Sequence, residues 1–264
     1  MIPLGCEGRV FMKSLQQTLC GFIMLLQLGA ASLAAQSADA NPAVIPTART
    51  EGWWLARHQA KVEEAKRGKV DLLFVGDSIT QNYERTGPAP QQVFLPTWNE
   101  FFAPHHAMNL GFSGDQTQHV LWRLQHGEVD GLKPKNIVLL IGTNNTTKPE
   151  QTAGGVAAGV IAVVEELHRR MPAAKITVID ILPHGMSAKL SETDAAVNAT
   201  VTQKYAASSY VTMLDLSSLF FKDGVLDRSL FYDPTLDPPK PPHHPNTEGQ
   251  RRMAAAVAKS LYGQ

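Results

Sequence analysis

A serine, a glycine, an asparagine and a histidine stand where the pattern of this chain changes, and together they have the chemistry to activate a hydroxyl and stabilise the charge its attack creates. Ser78 follows the apolar run Leu72-Leu73-Phe74-Val75 through Gly76-Asp77, Gly114 follows a second run, Asn144 follows a third, and His244-Pro245 precedes the last helical stretch. Serine is a weak nucleophile at neutral pH. An imidazole must take its proton, and a carboxylate commonly fixes which ring nitrogen carries hydrogen. Attack on an ester carbonyl puts negative charge on one oxygen, and a donor preorganised for that oxygen is worth roughly 2.7–4 kcal/mol. Gly114 suits a backbone N–H donor because, lacking a Cβ, it lets substrate come close; Asn144 suits a side-chain donor. Taken singly, each has a plainer explanation as an Asp-Ser turn, a turn glycine or a helix-capping asparagine. Their joint occurrence points to catalysis.

To act together these groups need a scaffold that sets strand ends side by side. Helical spacing over 53–66, with Trp54, His58 and Val62 at i, i+4 and i+8, precedes a strand predicted over 70–75. Further strands are predicted over 107–110, 136–141, 175–182 and 211–216, alternating with helices over 117–125, 154–170, 195–207 and 247–261. The run Asn136-Ile137-Val138-Leu139-Leu140-Ile141 is of the kind buried on both faces of a parallel sheet. Such alternation implies right-handed βαβ units, hence an α/β fold: a three-layer α/β/α sandwich around a five-stranded parallel sheet. Open sheets of this type bind ligands at the carboxyl ends of their strands, where Ser78, Gly114 and Asn144 fall.

Taken together, these pieces resemble the four blocks of the SGNH or GDSL hydrolases. Over residues 70–145 the sequence resembles the catalytic subunits of intracellular platelet-activating-factor acetylhydrolases. The likeness is carried by Phe74-Val75-Gly76-Asp77-Ser78-Ile79-Thr80, Asn109-Leu110-Gly111-Phe112-Ser113-Gly114-Asp115, His119-Val120-Leu121-Trp122-Arg123-Leu124 and Gly142-Thr143-Asn144-Asn145. Beyond residue 150 it is one of pattern only. The resemblance implies a flavodoxin-like serine esterase with Ser78 as nucleophile and His244 as base. Its oxyanion donors would be the Ser78 amide, Gly114 and Asn144, with neither cofactor nor metal. It also implies a short acyl group, acetyl first, leaving from an alcohol by way of an acyl-enzyme.

Nine histidines compete for the role of base. His58, His105, His106, His119, His126, His168 and His184 fall in helical or turn stretches and are expected to be structural or solvated. His243 and His244 are adjacent, but only His244 directly precedes Pro245 and the helix start Asn246-Thr247-Glu248-Gly249, as the catalytic histidine does in the hydrolases this chain resembles. Those hydrolases usually carry their acid three residues before that histidine, where this chain has Pro241. Phe231-Tyr232-Asp233 resembles the approach to the acid, with the proline-rich stretch 238–242 intervening, so the resemblance implies Asp233, with Asp237 as the alternative. Five residues at the extended proline pitch cover about 15 Å. Either aspartate therefore needs the chain to double back, and failing that the site is a Ser-His dyad.

The 264 residues, 44% apolar, suffice for one sizeable core, and 24 basic residues balance 24 acidic ones. Zero formal charge argues against nucleic acid or an anionic membrane as partner. Residues 1–40 read as a signal peptide: Arg9 and Lys13, a mostly apolar stretch over 19–33, then small residues through Ala38-Asp39-Ala40, with Met12 as an alternative start. That stretch is short of the roughly 20 residues a spanning helix needs. Residues 41–52 read as a linker and 53–264 as the hydrolase domain. Cys6 and Cys20 both lie in the leader, so the mature periplasmic or extracellular chain would lack cysteine and with it disulfides and thiolate chemistry. No His-Glu-x-x-His spacing suggests a metal-assisted hydrolase. The expected substrate is a small-molecule or glycan ester, with an acetylated carbohydrate standing beside a phospholipid, and no stable membrane insertion is expected. The rival is a non-catalytic carbohydrate-binding module on the same fold, which would need no nucleophile.

Overall fold

The computed structural model describes residues 40–263. The leader read over 1–40 lies, apart from Ala40, outside the described residues. In chain order the elements are α1 (Gly52–Ala65), β1 (Leu72–Gly76), α2 (Ser78–Gln81), α3 (Leu95–Phe101), β2 (Ala107–Gly111), α4 (Thr117–Gln125), β3 (Asn136–Leu140), α5 (Thr143–Thr146), α6 (Ala153–Arg170), β4 (Lys175–Ile179), α7 (Ala188–Tyr205), β5 (Val211–Leu214), a small hairpin of β6 (Phe221–Lys222) and β7 (Val225–Leu226), and α8 (Thr247–Tyr262).

The five long strands pair in parallel in the order β2-β1-β3-β4-β5. Alternation of side chains along each strand divides the core in two. Leu73, Val75, Ile137 and Leu139 face one way, onto Val120 and Leu124 of α4, Val160 and Val164 of α6, and Val197 of α7. Leu72, Phe74, Val138 and Leu140 face the other, onto Trp98 of α3 and Met253 and Val257 of α8. Both faces are thus covered, which is the three-layer arrangement expected. Each fully buried aliphatic side chain of this kind contributes roughly 1.5–3 kcal/mol. Gly76 is in register with Gly111 of β2 and Leu140 of β3, so three loops leave the sheet at one level. The chain turns to opposite sides of β1 at β2 and β3, the kind of switch point at which open sheets take their ligands.

Strands β4 and β5 end well before their predicted limits, at Ile179 and Leu214. The apolar run of β4 continues through Ile181 and Leu182, both buried, but the Ile181 backbone leaves the ladder: its N–H donates to Asn198 Oδ1 and its carbonyl accepts from Asn198 Nδ2. A side chain of α7 there replaces the neighbouring strand. Helix α7 begins at Ala188, earlier than expected, because the Ser187 hydroxyl caps it by accepting the Leu190 N–H. The stretch read as a linker is docked rather than free. Ala43 is buried and its carbonyl accepts from Thr117 Oγ1 at 2.7 Å, Thr47 N–H donates to the Gln118 carbonyl, and Arg49 reaches the Ser113 carbonyl. Among the described residues no helix is long and apolar enough to cross a membrane.

Candidate active site

Ser78 stands at the first position of α2, where a buried strand turns sharply into a helix. A Cβ on Gly76 would come within 2.3 Å of Thr80 Oγ1 and 2.5 Å of the Leu140 carbonyl, so the turn closes only on glycine. The Asp77 carboxylate caps α2 by accepting the Ile79 N–H at 2.9 Å. Burial pushes the Asp77 carboxyl up to about 6, against the opposing pull of that N–H and of His244. As a first-turn amide the Ser78 N–H has no acceptor within its own helix. The Ser78 hydroxyl lies 3.1 Å from His244 Nε2.

His244 is presented by a backbone pairing. Tyr232 N–H donates to the His244 carbonyl, Asn246 N–H donates to the Leu230 carbonyl, and Phe231 bridges Pro245, so residues 230–233 run antiparallel beside 244–246. The Tyr232 ring stacks on the imidazole, centroids 5.3 Å apart. This pairing brings Asp233 Oδ1 to 2.7 Å from His244 Nδ1. The proline-rich excursion does double back: Lys240 N–H returns to the Asp233 carbonyl, and the Pro242 carbonyl accepts from Gly185 N–H. Asp237 sits exposed on the excursion. With Nδ1–H directed to Asp233, Nε2 is left as an acceptor facing the Ser78 hydroxyl.

Gly114 and Asn144 are brought to the same end of the sheet. Gly114 has φ +79°, a conformation that favours glycine, and its loop is tied to α2 by the Ser113 N–H, which donates to Gln81 Oε1 at 2.6 Å. Arg49 Nη1 donates to the Ser113 carbonyl at 2.7 Å from the other side. Asn144, in α5, donates one Nδ2 hydrogen to the Asp115 carbonyl at 3.0 Å, which leaves the second for a ligand. Gln116 Nε2 in turn donates to the Asn144 carbonyl, and Thr117 N–H donates to Asn145 Oδ1. The loops after β2 and β3 are therefore one hydrogen-bonded unit.

Sequence reasoning missed what stands behind this unit. Asp115 accepts from Trp54 Nε1 at 2.7 Å and from Arg123 Nε at 2.8 Å; Arg123 also pairs with Glu128, whose other oxygen lies 2.9 Å from His58 Nδ1. Arg123, Asp115 and Glu128 are fully buried, and the guanidinium lies 3.8 Å over the Phe112 ring. Buried charges are tolerated when each is paired and hydrogen-bonded, as here, and losing one partner would strand the others. The available signal was an arginine set among Val120, Leu121 and Leu124 on a core-facing helix.

A hydroxyl beside an imidazole, itself braced by a carboxylate, with N–H groups on two neighbouring loops, has the parts needed to attack a carbonyl and hold the resulting oxyanion. The comparisons agree with that chemistry. Residues 74–252 match the model of the GDSL-like lipase/acylhydrolase family. The chain is 37% identical over 201 residues to the platelet-activating factor acetylhydrolase IB subunit alpha2 of Rattus norvegicus, covering 74% of this chain and 82% of that protein. Its fold is similar to that of a GDSL-like lipase from Bacteroides thetaiotaomicron, with a TM-score of 0.57, 16% identity, and 79% and 98% of the two chains covered. It is likewise similar to an acetylxylan esterase from Geobacillus stearothermophilus, with a TM-score of 0.54, 18% identity, and 75% and 96% covered.

Proposed function

The chain belongs to the GDSL-like lipase/acylhydrolase family and is a carboxylic-ester hydrolase, and on that premise we propose that it removes short acyl groups, acetyl first, from alcohols of a carbohydrate or lipid through an acyl-enzyme on Ser78. The observation that carries this reading is the line from Ser78 Oγ through the His244 ring to Asp233, with separations of 3.1 Å and 2.7 Å.

In this mechanism Ser78 Oγ bonds to the carbonyl carbon while His244 Nε2 takes the hydroxyl proton. The carbonyl electrons move to oxygen, and the Ser78 amide, the Gly114 amide and the free Asn144 N–H stabilise that charge. Collapse expels the alcohol, which leaves with the proton from Nε2. Water then gives a proton to Nε2, attacks the acyl carbon, and a second collapse releases the carboxylic acid and restores Ser78. Asp233 remains ionised and keeps Nδ1 protonated throughout.

Acetyl specificity is supported by the names of the acetylhydrolase relative and the acetylxylan esterase neighbour. The reading also includes export, on the strength of the leader over residues 1–40. A panel of p-nitrophenyl esters from acetate to octanoate, followed by acetate release from acetylated oligosaccharides and acetylated glycerolipids, tests the proposal. Activity falling steeply beyond butyrate is the expected result, and a preference for octanoate would overturn the acetyl assignment.

A further inference from the structure

Beside the turn that carries His244 lies a cavity of about 550 Å³, framed by the ends of β4 and β5, by α7 and by the β6–β7 hairpin. Its wall abuts the segment that leads into His244: His184 lines the cavity, its ring centroid lies 6.3 Å from that of His243, and Gly185 N–H is bonded to the Pro242 carbonyl. Asp180, Asp194 and Asp215 line it, and neither lysine nor arginine does. Asp194 is only 5% exposed; His184 Nε2 lies 2.7 Å from one of its oxygens, and its Oδ1 has no hydrogen-bond partner. Asp180 Oδ1 has none either. Burial and the neighbouring Asp215 push the Asp180 carboxyl up to about 6. On the hairpin side the wall is Leu226 and Phe221, the latter 45% exposed although large and aromatic.

These features select a ligand by its chemistry. Ionised carboxylates only accept hydrogen bonds, and a buried acceptor without a donor is costly, so a ligand here brings hydrogen-bond donors. Phosphate, sulfate and carboxylate groups would meet carboxylates with no cation to offset them. A trimethylammonium group would bring charge but no donor. A sugar ring brings several hydroxyls and, on its other face, a row of C–H groups that packs on an aromatic surface. We propose that this cavity is a subsite for a neutral sugar ring of the substrate, with Phe221 under its C–H face and Asp180, Asp194 and Asp215 accepting its hydroxyls. The proposal rests on the esterase reading and narrows its substrate to a carbohydrate.

The test has two arms, both in the full-length chain. In the first, kcat/KM is measured for acetylated tetrasaccharides of xylose, glucose and N-acetylglucosamine and for p-nitrophenyl acetate, in the natural chain and in Phe221→Ala and Asp180→Asn. The ratio of saccharide to p-nitrophenyl activity should fall at least tenfold in each variant, chiefly through KM, with circular dichroism unchanged. In the second, titration calorimetry follows the unacetylated tetrasaccharides and phosphocholine binding to Ser78→Ala, with and without Phe221→Ala. At least one saccharide should bind, and the second substitution should weaken it tenfold or more. An unchanged ratio in folded variants, no binding of any tetrasaccharide, or preferred binding of phosphocholine would overturn the subsite. Loss of the esterase reading would show differently, as inertness of the natural chain toward every ester, and the binding arm would still decide the subsite.

Discussion

Asp233 holds His244 in two ways at once: Oδ1 lies 2.7 Å from ring Nδ1, while Oδ2 accepts the backbone N–H of His243 at 2.9 Å and of His244 at 2.5 Å. Burial alone would raise this carboxyl, but the imidazole and the two amides outweigh it and hold Asp233 below its ordinary range, so it stays ionised at neutral pH. In Asp233→Asn the amide would donate to Nδ1 and leave the ring proton on Nε2, the wrong nitrogen for taking a proton from Ser78. We expect kcat for p-nitrophenyl acetate to fall on the order of 10⁴-fold, the size seen for the same exchange in a serine protease. Asp237→Asn, a change at an exposed position, should stay within about twofold, as surface substitutions usually do. The opposite ranking would move the role to Asp237, and two silent variants would leave a dyad.

Ser78 should be the residue that becomes acylated. Ser78→Ala should abolish ester hydrolysis and labelling by a fluorophosphonate, and its thermal midpoint should stay near that of the natural chain because only a hydroxyl is lost. Undiminished labelling of the variant would show that another residue attacks.

How far the sequence reaches depends on how local the signal is. The apolar runs before Ser78, Gly114 and Asn144 make the parallel sheet and its loaded carboxyl edge legible, because a strand buried on both faces has to be continuously apolar. The pairing of Asp233 with His244 is not legible in this way. It depends on residues 230–233 lying against 244–246, a contact between segments separated by a proline-rich excursion whose path no local pattern dictates. Arg123 and Glu128 were equally hidden: a charge on a core-facing helix gains its meaning only when Asp115, from another loop, arrives to meet it. The end of β4 was overestimated because Ile181 and Leu182 are apolar for packing, while Asn198 takes the Ile181 backbone.

In the proposed mechanism Asn144 acts on the transition state rather than on ground-state binding, because its second Nδ2 hydrogen would meet charge that appears only after attack. In Asn144→Ala we expect kcat to fall about 10²–10³-fold with KM within about threefold. A rise in KM with unchanged kcat would show that the residue binds substrate instead. Gly114→Ala should be severe for a second reason: φ is +79°, and the new Cβ would lie 3.0 Å from Arg49 Nη1.

If residues 1–40 are a signal peptide, the mature chain begins between about Ala35 and Asn41, after the small residues that precede cleavage. Mass spectrometry of the protein recovered from the periplasm or medium should find that N-terminus. Recovery of only the intact chain from the cytosol would remove the proposal of export.

His243 should set part of the acid sensitivity of the fold. Burial, and after it the neighbouring His244, push its imidazole down to about 4 from 6.5, against the attraction of Asp233 and Asp194, and its buried Nδ1 has no partner. Between those two values the unfolded chain binds the proton and the folded chain does not, so stability rises with pH there. The contribution is complete above 6.5 and is lost as pH falls toward 4, by up to about 3 kcal/mol at 1.36 kcal/mol per unit. Asp77 and Asp180, both raised by burial to about 6, pull the other way, so the bare pH profile of the natural chain mixes opposing contributions. Comparison with His243→Asn removes that mixture, because every other group is shared. Urea unfolding at pH 7, 6, 5 and 4.5 should show the natural chain losing stability relative to the variant as the pH falls below 6.5, with a constant difference above it. Curves that stay parallel across the whole range would mean that His243 takes up its proton in the folded protein as readily as in the unfolded chain.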